Sequence, residues 1–353
     1  MRQIIFYVFA LFFFLGCKSH KSQKSATGFK IHRGTNIAHW LSQSSARGIN
    51  RQQFFTSTDI KQIKAAGFDH IRLPVDEEQL WDSTGKRESA AFALLDSCLH
   101  WAKKENLRVV LDLHILRSHY FNAAVKPLWT DVREQDKFIL LWKDLASAVN
   151  KYPNDMLAYE FMNEPVADDP QEWNRLLARV TDSIRNWERY RVLVIGSNRW
   201  QSVNTFDQLI IPPGDKNIIL SFHFYEPFML SHYKASWTYM KEFNGTVAYP
   251  GQIAPGGTSP QEQRIYNIDS LEKMLSKPLH LADSLRLPLY CGEFGIIQQA
   301  PRESKLNWYN DMITIFNKHH IAWANWNYKS GSFGIVDRNR TEDKQIITIL
   351  QRN

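Results

Sequence analysis

A chain of 353 residues, 44% of them hydrophobic, is long enough for one large core, and α/β barrels reach this length as a single domain. The net charge of +7 is spread without a long basic run in the body of the chain, which argues against nucleic acid as a partner. Three cysteines, of which Cys17 belongs to a leader and only Cys98 and Cys291 to the body, exclude a disulfide framework or a structural zinc site.

The chain starts with a short positive stretch, Met1-Arg2-Gln3, followed by an apolar run from Ile4 to Leu15. That run is too short to span a bilayer and right for a signal peptide. Phe14-Leu15-Gly16-Cys17 resembles a bacterial lipobox, with Phe where Leu is usual. The expectation is a lipoprotein-type signal peptide over 1–17, lipidation of Cys17, a Ser/Lys-rich tether over 18–28 and one folded domain over 29–353. The protein is thus expected to be exported and anchored to a bacterial membrane; a plain secretory signal is the alternative.

Beyond the tether, strand-like apolar runs alternate with amphipathic helical ones. The first strand is read over Phe29–Ile37, followed by a helix opened by Thr58-Asp59 and closed at Gly67. The second is Phe68–Val75 with a helix over Ser89–Glu105, and the third Leu107–Leu113 with a helix over Asp131–Asn150. The fourth, Asp155–Met162, stops at Asn163-Glu164-Pro165, because proline cannot continue a central strand; a helix over Gln171–Trp187 follows. The fifth is Arg191–Gly196, with an irregular connection after it. The sixth is Asn217–Phe224, with a helix over Ile268–Leu285, and the seventh Leu287–Glu293, with one over Glu303–His319. Ile321–Trp326 is the eighth, and Thr341–Gln351 a closing helix. Eight strands alternating with helices predict a single-domain (β/α)8 barrel of the TIM type. The long Glu226–Arg264 segment, rich in aromatic residues and then in Gly and Pro, is read as a loop forming a wall of a cleft at the mouth.

Polar and aromatic residues gather at the predicted C-terminal strand ends, where a barrel places its chemistry. They are Asn36, His39 and Trp40 after the first strand, Arg72 on the second, and His114 and His119 after the third. Asn163 and Glu164 follow the fourth, Asn198 and Trp200 the fifth, His223 and Tyr225 end the sixth, Glu293 the seventh and Trp326 the eighth. Two carboxylates without a metal-ligand cluster suit glycoside hydrolysis, in which one carboxyl group protonates the leaving oxygen while the other attacks or activates water. The acid needs a raised pKa; the nucleophile needs a nearby cation, for which Arg72 is the candidate beside Glu293.

Asn163-Glu164-Pro165, Glu293 in Gly-Glu-Phe-Gly, Trp326, Arg72 in Ile-Arg-Leu-Pro, His114 in Leu-Asp-Leu-His, and His223 and Tyr225 in Phe-His-Phe-Tyr together resemble glycoside hydrolase family 5. The likeness runs from about Ile31 to Asp337. It implies a retaining, cellulase-like β-glycanase with Glu164 as acid/base and Glu293 as nucleophile. Asn163 would bind the sugar 2-hydroxyl, and Arg72 and Tyr225 would hold Glu293. His223 would tune Glu164, His114 would bind a sugar hydroxyl, and Trp326 would be a stacking floor. His39, Trp40, Trp200 and, in the long loop, Trp237 are further possible sugar contacts. The expected substrate is a β-linked plant-type glucan cut by an endo-β-1,4-glucanase, acting as a monomer without cofactor or metal. A mannan, a xyloglucan or exo action on a β-glucan would use the same mechanism. Two other classes stay open at this point: a metal-dependent hydrolase using His32, His39, His114, His119 and His223, and a non-catalytic glycan-binding surface protein.

Overall fold

The computed structural model describes residues 28–259 and 264–352; the expected signal sequence with Cys17, and tether residues 18–27, lie outside them. Eight parallel strands close into a barrel in sequence order: β1 (Arg33–Asn36), β2 (His70–Asp76), β3 (Arg108–Ile115), β4 (Leu157–Glu160), β5 (Val192–Gly196), β6 (Ile218–Phe224), β7 (Leu289–Phe294) and β8 (Ala322–Asn325). Closure is made by β1 against β8, with Gly34 opposite Ala324 and Thr35 opposite Asn325. The expected barrel is thus the observed one. The first strand is shorter than expected, and Phe29, outside it, joins the apolar cluster that fills the barrel floor with Val110, Ala158, Val194, Ile219, Tyr290 and Ala324.

Side chains alternate along a strand, so every second residue enters the barrel. Above the apolar floor the inward set turns polar: Arg72 follows His70, Asp112 follows Val110, Glu160 follows Ala158, and Ser221 and His223 follow Ile219. Space in this layer is tight. A Cβ at Gly34 would lie 2.4 Å from the His70 ring, which leaves glycine as the side chain that fits. The outward residues of the same strands pack under the helices in one continuous core.

Helix boundaries follow local chemistry. Thr56 and Asp59 form a capping box for helix Ser57–Ala65, and Asp169 with Glu172 does the same for Pro170–Trp187, where Pro170 takes a first-turn position needing no N–H donor. The latter helix buries Trp173, Leu176, Leu177, Val180 and Ile184, an i, i+3, i+4, i+7, i+11 stripe. The single helix expected over Ile268–Leu285 is two, Ile268–Met274 and Ser276–Leu285. Pro278 has no N–H for the carbonyl of Met274 and its ring crowds that carbonyl, so the first helix stops there. The closing helix starts later than expected, at Lys344, because the Asp343 carboxylate accepts from the Ile346 N–H and caps it.

After β5 the chain is irregular, as expected: Arg199, Trp200 and Gln201 all have positive φ (55°, 63° and 52°). Over its described residues the Glu226–Arg264 segment is more regular than a loop. It carries a helical turn at Phe228–Ser231, a 3-10 turn at Tyr239–Glu242, and a three-stranded antiparallel sheet of Thr246–Val247, Gly251–Ala254 and Arg264–Tyr266. Tyr249 anchors it, buried with its hydroxyl on Asp311 at 2.6 Å. Cys98 and Cys291 are both buried free thiols.

Candidate active site

Arg72, entirely buried on β2, is the hub of the barrel mouth. Its guanidinium donates from Nε and Nη2 to the two oxygens of Glu160 (2.7 and 3.0 Å), from Nη1 to Glu293 Oε1 (2.7 Å) and Asn36 Oδ1 (3.0 Å), and from Nη2 to Asn163 Oδ1 (2.7 Å). Nη2 also lies 3.0 Å from Asp112 Oδ2. One rigid fork thereby ties β1, β2, β3, β4 and β7 together, a geometry lysine could not supply. Burial works against the charge, but Asp112, Glu160 and Glu293 outweigh it and hold the guanidinium firmly protonated.

Glu164 and Glu293 face each other across the mouth. A carboxylate oxygen of each and a ring nitrogen of His223 all lie within 4.8 Å of one another. So close an approach agrees with the roughly 5–5.5 Å carboxyl separation of retaining glycosidases. His223 Nδ1 sits 2.9 Å from Glu164 Oε1, and Tyr225 donates its hydroxyl to Glu293 Oε2 at 2.8 Å.

Their surroundings separate the two carboxyl groups. Burial first, then the neighbouring Glu293 charge, pushes Glu164 well above the ordinary carboxylate range. Glu293 is also raised by burial, but the positive charge of Arg72 and the hydrogen bond from Tyr225 oppose the rise. One site therefore favours a protonated Glu164 beside an ionised Glu293. His223 is driven well below its usual value by burial and the charge of Arg72, so it is neutral here. His114 is lowered to about 4 by the same two causes.

Of the other expected residues, Trp326 and His114 stack on one another, ring centroids 5.6 Å apart and planes 5° apart. Asn163 points its carboxamide oxygen at Arg72. Trp200 is 43% exposed, and its N–H bonds to Pro165 O at 3.2 Å, beside the Glu164 turn. Trp237 is 55% exposed on the Glu226–Arg264 segment, with Phe333 6.4 Å from its ring. His39 lies close against Gly331, where a Cβ would be 2.3 Å from its Nε2.

Trp40 is not a sugar contact. The left-handed backbone of His39 (φ 61°) reverses the chain and sends Trp40 into the core, fully buried, with its indole N–H on Arg51 O at 2.8 Å and its ring 5.1 Å from Phe55. Nor do the histidines form the set a metal-dependent hydrolase would need. His32 precedes β1, at the opposite end of the barrel, and His119 accepts the Val166 N–H at 3.2 Å, steadying the Glu164 turn. Among the described residues, the one group with metal-ligand spacing is Glu164, His223 and Glu293. Its contacts run to one another, Tyr225 and Arg72, and the Arg72 charge 2.7 Å from Glu293 repels a dication.

A family model described as Cellulase (glycosyl hydrolase family 5) matches residues 25–332. The chain belongs to glycosyl hydrolase family 5. It is 33% identical to Endoglucanase C of Acetivibrio thermocellus over 90% of this chain and 97% of that one. It is 27% identical to Cellodextrinase A of Ruminococcus flavefaciens over 83% of this chain and 84% of that one. Among solved structures, Thermotoga maritima Cel5A in complex with cellobiose superposes with a TM-score of 0.75, 26% identical over 91% of this chain and 97% of that one.

This family 5 glycoside hydrolase also uses residues that the sequence reading did not single out. Glu160 and Asp112 share Arg72, and Asp112 Oδ2 holds His114 Nδ1 at 2.6 Å, orienting the imidazole. Burial lifts Asp112 to about 7 although the Arg72 charge opposes it; its Oδ1 has no partner. Gln201 donates to Glu160 Oε1 (2.7 Å) and Asn163 O (2.5 Å), bracing the turn that carries Glu164. Gln43 meets His114 Nε2 at 3.2 Å and marks the way into a groove beyond it. Period-two counting back from His114 reaches Asp112; nothing comparable points to Gln201, whose place depends on the left-handed turn.

Proposed function

We propose that this glycoside hydrolase is an endo-β-1,4-glucanase acting by double displacement, with Glu164 as acid/base and Glu293 as nucleophile. The observation that carries the reading is the close, unequal carboxyl pair: a protonated Glu164 and an Arg72-held Glu293 within 4.8 Å. Glu293 attacks the anomeric carbon while Glu164 passes its proton to the departing glycosidic oxygen. The sugar is left as an ester on Glu293. Glu164, now a carboxylate, takes a proton from water, which attacks the same carbon and releases the sugar with its β configuration. A neutral His223 donating from Nδ1 to Glu164 Oε1 leaves the other carboxyl oxygen to carry the proton. Asn163, His114 and Trp326 would hold the ring whose C1 faces Glu293.

For the substrate, support comes from the relatives named endoglucanase and cellodextrinase. The same Thermotoga maritima protein has also been solved with mannotriose, so mannan belongs in the test. Reducing-sugar release by purified protein from Thr27 on is to be compared on carboxymethylcellulose, mixed-linkage glucan, xyloglucan, glucomannan, mannan and laminarin. Activity on the first two is expected. Activity confined to mannan or laminarin would replace the substrate and keep the mechanism.

The role of Glu164 has its own test. Its substitution by Ala should cost about 10²–10⁴-fold in kcat on polysaccharide and far less on aryl glycosides whose leaving groups need little protonation. Equal losses on both would contradict the assignment. In the intact enzyme kcat/KM should be bell-shaped in pH. The alkaline limb falls as Glu164 loses its proton, above the ordinary carboxylate range because its pKa is raised; the acid limb falls as Glu293 gains one.

The apolar run Ile4–Leu15 and Cys17 in its lipobox-like setting support export and lipid anchoring outside the cytoplasm. Among the described residues no helix is long and apolar enough to cross a membrane. Radiolabelled palmitate incorporation in the intact protein but not in Cys17→Ala tests this part; equal labelling would refute it.

A further inference from the structure

A groove of about 510 Å³ opens between the segments that follow β1 and β8. It adjoins the catalytic site through one contact. Gln43 lies in its wall and touches His114, which stacks on Trp326. On the proposed mechanism, the ring at Trp326 is the one joined to Glu293, so the groove receives units further toward the non-reducing end.

Its charge is unlike that of a site for a neutral sugar. Lys329, Arg338 and Arg340 line it, and no Asp or Glu does. Two of these cations are matched: the buried Asp59 holds Lys329 at 2.8 Å and Arg340 at 3.0 Å. Arg338 is exposed, and the contact it makes is Nε to Ser330 Oγ at 3.5 Å. Among the described residues no carboxylate lies within ion-pair distance of its guanidinium. Nearby Asp337 is turned away, its Oδ1 accepting the N–H groups of Asn339 and Thr341 at 2.8 Å each, and Glu342 accepts from Gln62 at 2.8 Å. One carboxylate for three cations leaves the groove wall with a positive excess. A neutral glucan offers only hydroxyl groups, for which the serine and glutamine side chains of the wall suffice. A guanidinium fork without an acidic partner matches a carboxylate.

We propose that this groove binds a carboxylate-bearing sugar unit on the non-reducing side of the cleaved bond, with Arg338 as its anchor. The natural substrate is then a β-glucan chain with acidic units, a refinement that rests on the glucanase reading above.

The test uses the Glu293→Gln enzyme and titration calorimetry. Cello-oligosaccharides of about three to five units are compared with copies oxidised to a C6 carboxylate at the non-reducing end. At one length or more the acidic copy should bind about tenfold tighter, the scale of a charge-assisted pair. Adding Arg338→Gln should bring that ratio to near one. Adding Arg175→Gln, on the outer helix Pro170–Trp187, should leave it, which separates the groove from the protein's general positive charge. A ratio near one at every length, or one that survives Arg338→Gln, overturns the proposal. Hydrolysis of the neutral oligosaccharides by the intact enzyme is scored separately. If none is cut the glucanase reading falls, while the binding ratio still decides the groove.

Discussion

Glu293→Gln should abolish turnover, with a fall in kcat on the order of 10⁶-fold, the scale of removing a nucleophile, and should leave the fold intact. The amide is the same size as the carboxylate. Its oxygen can still accept from Arg72 Nη1, which now holds Glu293 Oε1 at 2.7 Å, and its NH₂ can donate to the Tyr225 oxygen. Denaturant midpoints of the two proteins should therefore stay close while activity vanishes. Removing the Glu293 charge also removes the second cause of the raised Glu164 pKa. Infrared titration of the carboxyl band should find Glu164 ionising at lower pH in the variant than in the intact enzyme. A smaller Glu293→Gly variant leaves a space that azide can enter. Azide displacing a good leaving group directly from that side should yield the α-glycosyl azide. A β-azide from this variant would mean that another group still forms the ester.

Arg72→Met should be the most destabilising single change at the mouth, at about 3–5 kcal/mol, the scale of removing one partner from a buried charge network. Three carboxylates, Glu160, Asp112 and Glu293, would lose the cation they share at 2.7–3.0 Å. Burial would then push all three further up, so the folded protein would bind more protons than the unfolded chain. Stability of the variant should fall as pH rises from the ordinary carboxylate value toward these raised ones. Urea midpoints measured at about pH 5 and about pH 8 should differ from the intact protein more at the higher value; equal deficits would show that the carboxylates are not what Arg72 compensates. Arg72→Lys should restore part of the stability and little of the activity, because one ammonium cannot reach four strands' worth of acceptors in a fixed plane.

The barrel was legible because its rhythm is local. Each buried strand is a short apolar run, and each C-terminal end carries a residue whose chemistry is plain, such as Glu164 before a proline or Glu293 between glycine and phenylalanine. The catalytic pair could be named for the same reason. Trp40 could not be placed, since a tryptophan four residues past β1 suits both cleft and core, and the positive φ of His39 decides between them. Glu160 was hidden in an apolar strand. A buried carboxylate there makes sense only once Arg72, from another strand, is known to meet both its oxygens. Gln201 depends on three consecutive left-handed residues, a conformation that Arg-Trp-Gln does not advertise. The Glu226–Arg264 segment reads as a loop because its strands are two to four residues long, below what alternation can reveal.

The most direct test of the central claim is to trap the intermediate. A 2-deoxy-2-fluoro-β-cellobioside with a good leaving group slows both displacement steps, because fluorine disfavours the oxocarbenium-like transition state, and the leaving group restores the first. Mass spectrometry of the digested protein should find one 2-fluorocellobiosyl group, attached to the peptide containing Glu293 through that side chain. An adduct on any other residue, or an enzyme that hydrolyses cellulose normally and stays unlabelled while releasing the α anomer first, would contradict the account.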